Sequence, residues 1–111
     1  MRRASAVTRK YMDQPSQSVT FNIPHDLLPA NWQALIEVYK AMPGWVDGTD
    51  RDGCPMWWPN GSTAGMIGAS VEPSGLLMTG NVSHTTWERW IADFEQRATD
   101  ALGFRVHDAE E

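Results

Sequence analysis

The chain has no second cysteine: Cys54 stands alone among 111 residues. An intramolecular disulfide and a thiolate zinc cluster are therefore excluded, and a reducing compartment is the simpler setting. Long apolar runs are also missing. None reaches the roughly 18 residues of a membrane-spanning helix, and the basic N-terminus lacks the run of about seven that a signal peptide needs. The expectation is a soluble, cytoplasmic protein with no membrane partner.

Positive charge is scarce outside the first ten residues. Arg2, Arg3, Arg9 and Lys10 are four of the nine bases; from Tyr11 onward five bases face all fourteen acids, a net charge of -9. Such a body repels phosphate backbones and suits a cationic partner. Residues 1–18 read as a flexible basic arm without pattern. Its four charges carry no interleaved aromatics, so nucleic acid is not expected as a partner.

Residues 19–111 read as a single domain, of a size that buries roughly two-thirds of its unfolded surface around one core. Polar and apolar residues alternate over 18–23, with Val19, Phe21 and Ile23 on one side, which predicts a half-buried strand ended by Pro24. Trp32, Leu35, Ile36, Tyr39 and Met42 recur at helical spacing until Pro43-Gly44 stops them. Turn formers then divide the middle of the chain into short strands over 45–48, 55–58, 66–71 and 76–81.

Thr85 followed by Glu88 reads as a capping box, and Trp87, Trp90, Ile91, Phe94, Ala98 and Leu102 form an apolar stripe before a C-capping Gly103. Phe104 and Val106 predict a last short strand. The pattern implies an α+β fold: a mostly antiparallel sheet with two helices packed on one face, a ferredoxin-like outline with an extra hairpin. The other sheet face is left open.

Six tryptophans are present. Trp32, Trp87 and Trp90 fall on helix stripes and read as core. Trp57 and Trp58 are adjacent on a strand, so one points to the helices and the other away, where an exposed indole is a candidate anchor for a partner. Asp47, Asp50 and Asp52 cluster at a hairpin tip beside Trp45 and form an acidic candidate contact for an Arg/Lys-rich surface. They do not complete a calcium loop, because the twelfth position from Asp47 is Trp58 rather than glutamate.

His25, His84 and His107 have no metal-ligand spacing. No P-loop, dinucleotide fingerprint or nucleophile elbow occurs either. The residues thus offer no catalytic set, cofactor or metal, and a binding protein that is not an enzyme is expected. The alternative is a non-toxin interaction module that homodimerises or docks on another protein through the open sheet face.

The runs Phe21-Asn22-Ile23-Pro24, Leu28-Pro29 with Trp32, and Met42-Pro43-Gly44-Trp45 resemble small bacterial immunity proteins of contact-dependent inhibition and related polymorphic toxin systems. Ser70-Val71-Glu72-Pro73-Ser74-Gly75-Leu76, Trp87, Trp90 and Ala101-Leu102-Gly103-Phe104 extend the likeness over 19–111. The resemblance implies tight one-to-one binding that blocks the active site or groove of a basic toxin domain, commonly a nuclease. It transfers no functional residue by position.

Overall fold

The computed structural model describes residues 17–46, 54–58 and 65–110. Two helices and a four-stranded sheet make it an α+β fold. Strand β1 spans Gln17–Phe21 and helix α1 Pro29–Ala41; β2 is Met56–Trp57, β3 Ile67–Glu72 and β4 Gly75–Gly80, before helix α2, His84–Leu102. The strand order is β1-β4-β3-β2, and every pairing is antiparallel.

Register places Phe21 opposite Leu76, Met78 opposite both Val19 and Ala69, and Trp57 beside Ile67, so these residues share one sheet face. Both helices cover that face. Phe94 of α2 lies 5.2 Å from Phe21, and Trp57 lies 5.4 Å from Tyr39 of α1 and 4.8 Å from Trp90 of α2. Ser18, Thr20, Ser70 and Thr79 lie on the opposite face, with half-buried Leu77 among them. An aromatic cluster thus holds the two layers together, each pair worth roughly 0.5–1.5 kcal/mol beyond its burial.

Helix α1 starts with Pro29 in its first turn and ends where Met42 turns extended before Pro43, as a residue preceding proline must. Leu35, Val38 and Tyr39 are its buried residues. Trp32 is only half-buried, packed against the rim of the core. Helix α2 buries Trp87, Trp90, Phe94, Ala98 and Leu102, and Gly103 closes it at φ 83°. Its N-cap is Ser83, not Thr85: the Ser83 hydroxyl oxygen accepts the Thr86 N–H. Starting two residues earlier puts Trp87 on the fourth helical position, over the sheet.

The strands shift or shorten by one or two residues at their ends relative to the pattern, and some of the differences have a local reason. β1 begins at Gln17, one residue before the expected strand, where the side-chain amide donates to the Val82 carbonyl at 2.8 Å. Trp45 forms a bridge with Trp57 and the Val46 N–H donates to the Met56 carbonyl, while the rest of the expected 45–48 strand lies outside the described residues. The segment after α2 also makes a single bridge, Asp108 with Phe21, because Asn22 clasps it through side-chain bonds. Asn22 Nδ2 donates to the Arg105 carbonyl at 2.9 Å, and Asn22 Oδ1 accepts the His107 N–H at 2.7 Å.

Gly75, after the Pro73-Ser74 turn, sits at φ 137° with the Phe21 carbonyl oxygen where a Cβ would be. Only glycine lets β1 approach the β3–β4 hairpin this closely.

Candidate functional site

Trp57 and Trp58 separate as adjacent strand residues should, but not onto the two sheet faces. Trp57 is 0% exposed, and its indole Nε1 donates to the Tyr39 carbonyl at 3.0 Å. It is removed from the candidate contact surface, since its ring is the centre of the core. Trp58 is half-buried and has left the strand at φ 63°. A bulky residue at positive φ is strained by roughly 1–2 kcal/mol.

The strain is held from the α1–β2 connection. The Trp58 N–H donates to the Gly44 carbonyl at 2.6 Å, and the indole lies so close to Gly44 that an added Cβ would meet Trp58 Cδ2 at 2.6 Å. Gly44 itself sits at φ 88°. Pro43, beside it, accepts the Trp90 indole N–H at 3.0 Å. The Met42-Pro43-Gly44-Trp45 run is thus a shelf on which two indoles rest.

This arrangement turns the second tryptophan away from the open sheet face and toward helix α2. There Trp58 lines an open pocket of about 240 Å³ with Pro43, Thr86, Arg89, Trp90 and Asp93. The volume suits one large side chain of a partner. Strained residues over-determined by their surroundings concentrate at ligand clamps, and an aromatic pocket with a polar rim has the form of an interface anchor site.

The rim charges are unequal. Asp93 Oδ1 accepts from Arg97 Nε at 2.8 Å, while Arg89 forms no hydrogen bond or ion pair among the described residues. The order of the residues explains this, because an acid preceding its base by four positions pairs better on a helix than the reverse. Asp93 therefore pairs forward with Arg97 rather than back with Arg89.

Asp47, Asp50 and Asp52 lie outside the described residues. His84 is exposed at the start of α2, 4.0 Å from Glu88, His25 is exposed before α1, and His107 Nδ1 lies 2.8 Å from the Asp108 carbonyl oxygen in the clasp. Cys54 lines a different groove, of about 390 Å³, with Trp32, Ile36, Tyr39 and Val71. Burial, and secondarily the charge of Cys54, hold the Tyr39 phenol well above its ordinary ionisation range. No cluster of three metal-ligating side chains occurs among the described residues, and no helix among them is long and apolar enough to cross a membrane.

Arg89, Thr86 and Asp93 were not legible as pocket residues from composition, and Trp90 reads simply as core. One signal was present: Asp93 has an arginine four residues on either side, and only one can pair well. No known protein family matches the chain, and no solved structure matches it.

Proposed function

We propose that the chain is a cognate immunity protein that binds and neutralises a basic toxin domain, with Trp58 and its pocket as the docking anchor. The observation that carries this reading is the half-exposed, strained Trp58 held by Gly44 beside Trp90. An indole kept at the surface at a conformational cost is better suited to a partner than to the fold. The net charge of -9 from Tyr11 onward supports a cationic partner, drawn in by long-range attraction. The Asp47, Asp50 and Asp52 cluster is the proposed steering element, and blockade of a catalytic groove, as by a plug, is the proposed mechanism. The proposal needs no cofactor and places the action in the cytoplasm, where a delivered toxin would be met.

Co-expression with a candidate toxin domain taken from the neighbouring genes is the test. The chain should restore growth and co-purify with the toxin, and reversing the charge of Asp47, Asp50 and Asp52 should slow association and flatten its salt dependence. Absence of both protection and binding would overturn the reading. A module that docks or self-associates through the open sheet face is less favoured, because that face carries Ser18, Thr20, Ser70 and Thr79 rather than an apolar patch.

A further inference from the structure

We infer that the Trp58 pocket receives an acidic side chain of the partner, an aspartate or glutamate whose carboxylate meets Arg89. The inference rests on the binding reading above and specifies the chemistry of its central contact. It runs against the sign of the molecule as a whole: an acidic protein offers its anchor to an anion.

The donor inventory carries it. Four bases fall among the described residues. Lys40 pairs with Glu37 and Arg97 with Asp93, Arg105 makes contacts of its own, and Arg89 alone has no partner among those residues. The Trp58 indole N–H likewise has no partner among them. Thr86 Oγ1 accepts from Ser83 Oγ at 2.9 Å, which leaves its own proton to donate. Three residues lining one pocket therefore carry a donor unspent among the described residues: a guanidinium, an indole N–H and a hydroxyl.

The described acceptors on the same wall each already hold one donor. Asp93 is engaged by Arg97, the Pro43 carbonyl by the Trp90 indole, and the Gly44 carbonyl by the Trp58 backbone. A cationic side chain entering here would meet Arg89, and the one carboxylate among the described lining residues, Asp93, is already paired with Arg97. A carboxylate instead gains a charge-assisted, potentially bidentate contact with the guanidinium, while its stem packs on the indole faces.

Nuclear magnetic resonance of the indole N–H groups tests this on the full chain, with Trp58→Phe identifying the Trp58 signal. Capped glutamate, N-acetyl-glutamate N-methylamide, should shift that signal with millimolar affinity, and capped arginine should not. Arg89→Gln should weaken the effect at least about fivefold, whereas Asp93→Asn, which removes the one carboxylate of the wall, should strengthen it.

A response to capped arginine, an unchanged response in Arg89→Gln, or no response to capped glutamate at about 100 mM would overturn the inference. With the toxin domain, Arg89→Glu should cost at least about tenfold in affinity. Unchanged toxin affinity would also overturn it. A toxin that fails to bind even the unaltered chain counts against the proposed function, and the capped amino acids still decide the pocket's chemistry.

Discussion

Gly44 and Trp58 form a single unit in which each explains the other's backbone. The indole occupies the space of a Cβ at residue 44, and both residues have positive φ. Gly44→Ala should therefore cost roughly 2 kcal/mol in urea unfolding, from left-handed strain plus the clash, and should displace the indole. Trp58→Asn should behave oppositely, because asparagine tolerates the left-handed region: stability within about 1 kcal/mol of the parent, but partner affinity lost. Tyr39 adds a pH dependence. Its folded-state ionisation lies above the ordinary value of 10.0 because the ring is buried, so the unfolded chain releases this proton first. Its contribution to stability is complete below that value and falls by about 1.4 kcal/mol per pH unit above it. Urea midpoints from pH 9 to 11 should show the decline attenuated in Tyr39→Phe.

At the scale of elements, the C-terminal segment is held by side chains as well as by a short piece of ladder. Asn22 makes two bonds to it, the Asn22 N–H donates to the His107 carbonyl at 3.1 Å, and the Ala109 N–H donates to the Thr20 carbonyl at 2.7 Å. Asn22→Ala should cost about 1–3 kcal/mol and speed hydrogen exchange at His107 and Ala109 while leaving α1 unchanged. The same contrast explains what could be read from sequence. The α2 stripe from Trp87 to Leu102 was legible because five apolar residues repeat at helical spacing. The β3–β4 hairpin was legible because Pro73 and Gly75 mark its turn. Phe104 and Val106 have the alternation of a strand, but alternation does not reveal that Thr99 will accept the Val106 N–H or that a distant Asn22 will satisfy the backbone of Arg105 and His107. Ser83 and Thr85 are both competent caps, and the burial of Trp87 decides between them. The pocket was half legible: adjacency made one of two tryptophans a surface residue, while its direction depended on a positive φ that no tryptophan advertises.

For the whole molecule, core and contact surface share one set of aromatics. Trp57, Trp90 and Phe94 join the layers, and Trp90 continues outward as a wall of the pocket beside Trp58. A partner seated there rests on a wall continuous with the buried aromatic core, which lowers the ordering cost of binding. Truncation should separate the two roles: Trp57→Ala should cost about 3–5 kcal/mol of stability, while Trp58→Ala should act mainly on binding. Long-range attraction and local contact then divide the work, the acidic surface setting the rate of encounter and the pocket setting the lifetime of the complex. The most direct measurement is hydrogen exchange of the chain alone and in complex with the toxin domain. The account predicts new protection around residues 43–45, Trp58 and 86–93, lost in Trp58→Asn. A complex with unchanged exchange there, and protection confined to β1 and the outer sheet face, would contradict it.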